Sequence, residues 1–233
     1  MVYADLHVHT TISDGTLEFE EIPAVASHAG VSVVAVTDHD RLPKQASPVM
    51  TMEGVVIIAG IELKVDAGAV DVDLLGYGVS KTQDLRSECD RLQRDRINRG
   101  EKIVRNIEEE LQVDLDVTIE EGFGRPDVAR SVVAHPETSY DTIESVFEDL
   151  IGEGEKCYVA RDLPTFSKGL SLLREACDVV GLAHPLRYDD PRAALELVPE
   201  LDAVERWYPY DTDPDSEPLE RALAEYDLIQ TGG

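Results

Sequence analysis

The sequence predicts an α/β protein whose strands close into a barrel. Short apolar runs alternate with helical patterns along much of the chain, which is typical of parallel strands that are buried on both faces. No glycine-rich dinucleotide loop follows the first run, so a barrel-like closure is favoured over an open sheet. In such barrels the reactive side chains lie at the carboxyl ends of the strands.

Each predicted element follows from its local pattern. The apolar runs predict strands at 2–6, 31–37, 54–63, 70–78, 178–184, 201–207 and 226–232. Apolar residues at helical spacing predict helices over 18–29, 165–177, 190–198 and 216–225. The stretch 81–165 breaks this alternation, since a long charged helix is followed by shorter helical patterns at 127–134 and 142–151. We therefore expect a barrel formed by residues 1–80 and 166–233, with residues 81–165 inserted as a helical region over its C-terminal mouth.

The composition is strongly acidic. The chain has 48 Asp and Glu against 21 Lys and Arg, which gives a net charge of −27. This balance excludes an extended surface that coats nucleic acid, because such a surface is basic. It permits an enzyme that holds phosphate locally through metal ions. Many acidic residues with few lysines are typical of proteins from salt-loving archaea, where concentrated salt screens the repulsion; an ordinary acidic cytosolic protein is the alternative.

The cysteines and the N-terminus indicate a location. Cys89, Cys157 and Cys177 are far apart and form no CxxC pair, so we expect free thiols in a reducing compartment. The N-terminal "MVYADLHVHT" has neither the basic nor the apolar region of a signal peptide. No apolar run reaches the roughly 18 residues of a membrane span. We expect a soluble cytoplasmic protein with no membrane partner.

The stretch "DLHVHTTISDG" (5–15) places His7 and His9 two residues apart. Alternate residues of a strand point to the same side, so both imidazoles are directed at one point. Other predicted strand ends also carry potential metal ligands: His39 in "VTDHD", Glu62 in "GIEL", Asp73 in "VDLLGY" and His184 in "LAHP". A lone histidine is usually a core residue, but five converging strand ends with imidazole and carboxylate ligands predict a site for Zn, Mn or Fe.

Taken in this order, "DLHVHTTISDGTL", "AVTDHD", "GIE", "LLGY" and "LAHP" resemble the PHP (polymerase and histidinol phosphatase) family. The insertion, "GRPDVAR" (124–130) and the ending "LIQTGG" resemble its stand-alone phosphoesterases. That branch includes 3′,5′-nucleoside bisphosphate phosphatases and 5′→3′ exonucleases that act on short RNA. The resemblance implies a distorted (β/α)₇ barrel that holds two or three divalent metal ions, with Mn²⁺ expected and Zn²⁺ or Fe²⁺ as alternatives.

The resemblance also implies a ligand set. His7, His9 and Glu62 would hold one metal, and Glu62 would bridge to a second that is also held by Asp73 and His184. Asp14 and His39 would hold the third, and we expect Asp14, His39 and Glu62 to be the catalytic residues.

The chain departs from the family pattern at two places. Asp73 stands where the family usually has histidine, and a carboxylate left in solvent is the alternative for this residue. After "TGG" the family continues with Ser-Asp-x-His, whereas this sequence ends at Gly233. We therefore expect weaker binding at two of the three metals.

Three arginines are candidates for binding the substrate phosphate. Arg125 in "GRPD", Arg161 and Arg187 are chosen because a guanidinium matches phosphate in a bidentate way; pairing with a surface acid is the alternative for each. Asp127 occupies a position where the family often has histidine. Asp38 is expected either to orient an imidazole or to stabilise a turn.

The predicted activity is hydrolysis of phosphate esters of nucleotides or short oligonucleotides by metal-activated water. The first alternative is a phosphatase for another small phosphomonoester, such as histidinol phosphate. The second is a non-catalytic module that binds metal or a partner. The sequence leaves the oligomeric state open.

Overall fold

The computed structural model describes residues 3–119, 122–211 and 213–233. The chain divides into two compact units, one formed by Met1–Cys89 with Leu163–Gly233 and the other by Asp90–Asp162. The described strands are β1 (Ala4–Val8), β2 (Val33–Val36), β3 (Val49–Met52), β4 (Val55–Asp66), β5 (Asp71–Tyr77), β6 (Val179–Leu182), β7 (Ala203–Trp207) and β8 (Ile229–Gly232). The described α-helices are α1 (Ile22–Ala29), α2 (Gln83–Leu111), α3 (Arg125–Ala134), α4 (Ile143–Val146), α5 (Phe166–Ala176), α6 (Pro191–Leu195) and α7 (Glu217–Glu225).

The strands of the first unit form one curved sheet. Within the described residues its order is β1-β2-β4-β5-β6-β7-β8, with β3 paired to β4 off this path. β8 lies against β1, so the sheet is nearly closed. The predicted α/β barrel is therefore confirmed, and each of the seven predicted runs overlaps one strand of the path, although β1 and β4 extend beyond their runs. The first predicted run starts at Val2, which lies outside the described residues.

The sheet is mixed, and the expectation of uniformly parallel strands was wrong. The pairs β1–β2, β2–β4, β6–β7 and β7–β8 are parallel. The pairs β3–β4, β4–β5 and β5–β6 are antiparallel. β4 and β5 are joined only by residues 67–70, where Gly68 has φ 84° and Ala67 N–H donates to Val70 O. So short a link can join only antiparallel neighbours. β3 was missed because it is a short, partly exposed edge strand.

The apolar runs and helix faces pack as their patterns predict. β4 and β5 are buried along nearly their whole length, as expected for strands covered on both faces. α5 begins after Thr165, whose hydroxyl caps Lys168 N–H, and buries Phe166, Leu170 and Leu173. A Cβ on Gly169 would lie 2.4 Å from Val65 Cγ1, so glycine permits the close approach of this helix to the sheet.

The second unit has its own apolar core. α2 begins in the first unit and continues into the second, where Ile103 and Ile107 are buried against α3 and the π-helical turn Phe147–Ile151. In the structure the second unit therefore begins at Asp90 and ends at Asp162. The position of residues 81–165 over the barrel mouth stays a prediction. Within the described part of the chain, every helix is too short or too polar to cross a membrane.

Candidate metal centre and active site

Histidines from two parallel strands meet at one carboxylate oxygen. His7 lies on β1 and His9 directly follows it, with ring centroids 5.1 Å apart on the same side. His39 follows β2, the parallel neighbour of β1, and its ring lies 4.5 Å from that of His9. Glu62 Oε2 is 3.2 Å from His7 Nε2, 3.1 Å from His9 Nε2 and 2.9 Å from His39 Nδ1. Strand periodicity and parallel register therefore bring these three rings to a common point.

Glu62 is the centre of the cluster. It lies within β4, which continues to Asp66, so the expectation that it ends a strand was wrong. Its backbone N–H donates to Asp38 O and its carbonyl accepts from Asp40 N–H at 2.8 Å, which ties it to the loop that carries His39. The side chain is only 1% exposed, and Oε1 lies 3.0 Å from His184 Nε2.

The electrostatics of the cluster are strongly coupled. Burial alone raises the pKa of Glu62, but the surrounding imidazoles of His184, His39, His7 and His9 hold it well below its usual value. Burial lowers the pKa of His7, yet contacts with Glu205 and Glu62 outweigh this and raise it to about 10. The same balance, with Asp14 and Glu62 as partners, raises the pKa of His9 to about 9. Without a cation, the carboxylates hold the imidazoles of His7 and His9 in the charged form.

The donor set fits divalent cations. Three imidazole nitrogens surround Glu62 Oε2, yet this buried oxygen has no hydrogen-bond partner of proper geometry among the described residues, and neither has buried Asp73 Oδ1. Oxygen and imidazole donors in this arrangement suit Mn²⁺, Fe²⁺ or Zn²⁺. Three groups bring one ligand atom of each member within 4.8 Å of the others: His7–His9–Glu62, His9–Asp14–His39 and His39–Glu62–Asp73. Glu62 belongs to two of these groups, and His9 to two.

Asp73 is part of this cluster because β5 is antiparallel. The third residue of β5, it pairs with Lys64 near the end of β4, so it comes from the start of a strand. It is 7% exposed, which argues against the alternative of a carboxylate in solvent. Its Oδ2 lies 3.4 Å from Lys64 Nζ and 3.9 Å from His184 Nε2. The structure therefore brings Asp73, Glu62 and His184 together.

The loop that carries Asp14 is fixed by Asp38. Asp38 accepts hydrogen bonds from Thr10 N–H (2.8 Å), the Thr10 hydroxyl (2.8 Å) and the Ser13 hydroxyl (2.6 Å). Of its two expected roles, the contacts therefore support the turn. Asp14 is exposed; its Oδ1 is 2.8 Å from His9 Nδ1, and its Oδ2 is 3.7 Å from His39 Nε2. A Cβ on Gly15 would lie 2.1 Å from His9 O, so the tight turn requires glycine here.

Sequence reasoning missed Glu205. This residue lies on β7, is 1% exposed, and contacts His7 Nδ1 at 3.0 Å. In "LDAVERW" it stands next to Arg206, and such a pair of adjacent opposite charges is typical of a solvent-exposed position. The available signal was a carboxylate near the end of an apolar run, the same feature that identified the other ligands.

The three candidate arginines lie in two different units. Arg187 follows His184, is exposed, and donates from Nη1 to the Tyr208 hydroxyl at 3.3 Å. Tyr208 in turn packs against the His184 ring, with centroids 5.2 Å apart. Arg187 is therefore connected to the cluster through this tyrosine.

Arg125 and Arg161 belong to the second unit. Arg125 opens α3, packs over Phe147 and Tyr158, and donates to Ile151 O at 3.3 Å. Burial, together with the nearby charges of Arg125 and Arg161, lowers the pKa of Arg99 to about 10. The second unit thus holds a group of arginines whose charges repel one another, a setting that favours an anion.

Known proteins match the chain along most of its length. The sequence profile of the PHP domain matches residues 5–153. A phosphoribosyl 1,2-cyclic phosphate 1,2-diphosphodiesterase of Eggerthella lenta is 27% identical, with 98% of this chain and 92% of the relative aligned. A 3′,5′-nucleoside bisphosphate phosphatase of Chromobacterium violaceum is 24% identical over 84% of this chain and 71% of its own length. A 5′-3′ exoribonuclease of Escherichia coli is 26% identical over 81% of this chain and 67% of its own length.

Solved structures share the fold. A protein of Bifidobacterium adolescentis, provisionally described as a metal-dependent phosphoesterase, superposes with a TM-score of 0.76 at 21% identity, covering 100% of this chain and 86% of its own. An amidohydrolase of Chromobacterium violaceum, solved with bound sulfate and no metal, gives a TM-score of 0.77 at 20% identity. The match covers 100% of this chain and 87% of the amidohydrolase.

Proposed function

The chain belongs to the PHP domain family, and from this membership we propose that it is a metal-dependent phosphoesterase that hydrolyses phosphate esters of nucleotides or short oligonucleotides. The observation that carries the proposal is the buried Glu62 carboxylate with imidazole nitrogens of four histidines within 3.2 Å. Relatives named as phosphodiesterase, bisphosphate phosphatase and exoribonuclease support a hydrolase of phosphate esters linked to nucleotides or sugars.

The cluster supplies the metal ligands. On this proposal His7, His9 and Glu62 hold one cation, Glu62, Asp73 and His184 hold a second, and Asp14 and His39 hold a third. Divalent cations bound in such a cluster stabilise charge on phosphoryl oxygens and lower the pKa of water toward neutrality. We favour Mn²⁺ because aspartate in place of histidine makes the donor set richer in oxygen.

Residues on the exposed side of the cluster act on the substrate. Asp14 and His39 are its most accessible members, with 67% and 26% of their side chains exposed, so the cation that they would hold lies at the open side, where it would lower the pKa of a bound water. Arg187 and Tyr208 lie beside His184 and offer donors to a phosphoryl oxygen. We further propose that Arg125 and Arg161 bind the phosphate of the substrate.

Composition supports two further parts of the proposal. None of the three cysteines forms a disulfide, which agrees with a cytoplasmic enzyme. The net charge of −27 agrees with a salt-adapted one.

A phosphatase panel tests the proposed function. The purified chain is assayed at saturating Mn²⁺ and molar salt with adenosine 3′,5′-bisphosphate, a short 5′-phosphorylated oligoribonucleotide, phosphoribosyl 1,2-cyclic phosphate and histidinol phosphate. We expect the highest kcat/KM on a nucleotide or oligonucleotide substrate. Preference for histidinol phosphate would support a general phosphomonoesterase instead, and full metal content without turnover on any substrate would indicate a binding module.

A further inference from the structure

Glu205 contacts two candidate metal ligands at once. Its Oε1 and Oε2 lie 3.0 and 3.1 Å from Nδ1 of His7. Oε2 also accepts a hydrogen bond of 2.7 Å from the backbone N–H of His184. The carboxylate is 1% exposed, and a charge buried to this degree persists only where its partners compensate the lost hydration. β7 thus delivers one carboxylate that connects the ends of β1 and β6.

We propose that Glu205 is a positioning residue that fixes His7 and His184 for metal binding, an inference that rests on the proposed function. The orientation of His7 is the first part of the argument. A carboxylate at Nδ1 keeps the ring proton on that nitrogen and leaves the lone pair on Nε2. His7 Nε2 faces Glu62 Oε2 at 3.2 Å, so once a cation displaces the Nε2 proton, the lone pair of the neutral ring would point to the centre of the cluster.

The backbone of His184 is the second part. His184 has φ 27° and ψ 59°, a left-handed conformation that is uncommon for any residue other than glycine. Such strain persists where surrounding contacts enforce it, and it is concentrated at functional sites. The hydrogen bond from His184 N–H to Glu205 is one of these contacts. It directs the imidazole toward Glu62 Oε1, 3.0 Å from His184 Nε2.

Glu205 is not placed as a ligand itself. Among the described residues, none of the groups whose ligand atoms lie within 4.8 Å of one another includes it. Both of its oxygens are already engaged by His7 and His184. A glutamine at this position carries no charge, and its NH₂ group would replace one of the two oxygens that lie 3.0 and 3.1 Å from His7 Nδ1, so it should hold the Nδ1–H more weakly than the carboxylate does.

Metal affinity of matched variants tests the inference without an activity assay. Wild type, Glu205→Gln and the control Glu88→Gln are titrated with Mn²⁺ and Zn²⁺ against a chromophoric chelator. Glu88 is also a buried carboxylate of the first unit, but it pairs with Lys168 at 2.5 Å. We expect Glu205→Gln to raise the metal Kd about 10- to 100-fold, the usual effect of losing a carboxylate that orients a ligand, and Glu88→Gln to leave it unchanged.

A spectroscopic readout separates positioning from general stability. In Zn²⁺-loaded protein with ¹⁵N-labelled histidine, wild type should show a slowly exchanging Nδ1–H signal, assigned to His7 by its absence in His7→Asn. This signal should exchange faster in Glu205→Gln and stay unchanged in Glu88→Gln. If Glu205→Gln fails to fold, Glu205→Asp replaces it, because the shorter side chain cannot reach both donors and should show the same loss.

The outcomes are distinguishable. Equal affinity and equal exchange in wild type and Glu205→Gln, beside tight binding by wild type, would overturn the inference alone. Equal losses in Glu205→Gln and Glu88→Gln would also overturn it, since they would indicate a general effect of removing a buried charge. A wild-type chain that binds no metal would overturn the proposed function and, with it, the inference.

Discussion

Replacing Glu62 with glutamine is the most direct test of the proposed centre. Glutamine preserves the size of the side chain but removes the negative charge and places an NH₂ group where a carboxylate oxygen was. The substitution affects two of the proposed cation sites at once, because Glu62 is a ligand in both His7–His9–Glu62 and Glu62–Asp73–His184. Each group is left with two ligands, and we expect both sites to lose their cations.

The size of the effect follows from this ligand count. Metal assistance to phosphoryl transfer contributes several kcal/mol of transition-state stabilisation. If the loss of both cations removes about 4 kcal/mol, kcat/KM falls by about 10³, since each 1.36 kcal/mol corresponds to a factor of ten. The remaining group, His9–Asp14–His39, contains no buried carboxylate and should not restore this loss.

The assay combines kcat/KM on the best nucleotide substrate with metal content measured after desalting. Glu88→Gln serves as the control, because it removes a buried charge of the same type that pairs with Lys168. A Glu62→Gln variant that keeps the wild-type metal content and stays within tenfold of wild-type activity would refute the assignment of Glu62 as the shared ligand.

Three further predictions concern protons, salt and thiols. Because the pKa of His7 is raised to about 10 and that of His9 to about 9 without a cation, a metal bound to both must displace about two protons at neutral pH; its affinity should therefore rise steeply with pH up to about 9 and less steeply up to about 10. Calorimetry in buffers of different ionisation enthalpy measures this release, and metal uptake without protons would contradict it. The Tm should rise by more than about 4 °C between low and molar salt, since screening of the −27 net charge outweighs the weakened surface ion pairs; a flat or falling Tm would disprove salt adaptation. Burial raises the pKa of Cys177 from 9.0 to about 12, so iodoacetamide should modify it about 10³-fold more slowly in the native than in the unfolded protein, as measured by mass spectrometry; equal rates would show that the thiol is accessible and ionised.

The sequence predicted the barrel because its strand and helix periods are unambiguous. The runs at 54–63 and 70–78 were identified as strands, but their direction was not, because a strand that is apolar on both faces carries no mark of its orientation. Only the short link with Gly68 decides that β4 and β5 are antiparallel. Because the direction of β5 was unknown, Asp73 was identified as a potential ligand at the end of a strand, whereas it lies at the start of one.

The sequence identified the residues that could bind metal, but it did not show which of them contact one another. His7 and His9 share a side by the two-residue period of a strand. That His9 also approaches Asp14 and His39 depends on the turn fixed by Asp38, which no local pattern encodes. Glu205 escaped detection because its burial depends on β7 lying next to β8 and β6, a property of the tertiary structure.

The acidity of the chain and its proposed chemistry impose opposite demands. A net charge of −27 repels a phosphate ester at low ionic strength, where the Debye length is about 30 Å at 0.01 M. At about 1 M salt this length falls to about 3 Å, so surface carboxylates no longer act on an approaching substrate. Cations held by Glu62 and its histidines would contact phosphoryl oxygens directly, at distances where salt screens little. Concentrated salt would then remove the long-range repulsion while leaving the local attraction, so salt adaptation and metal dependence are mutually consistent in this protein.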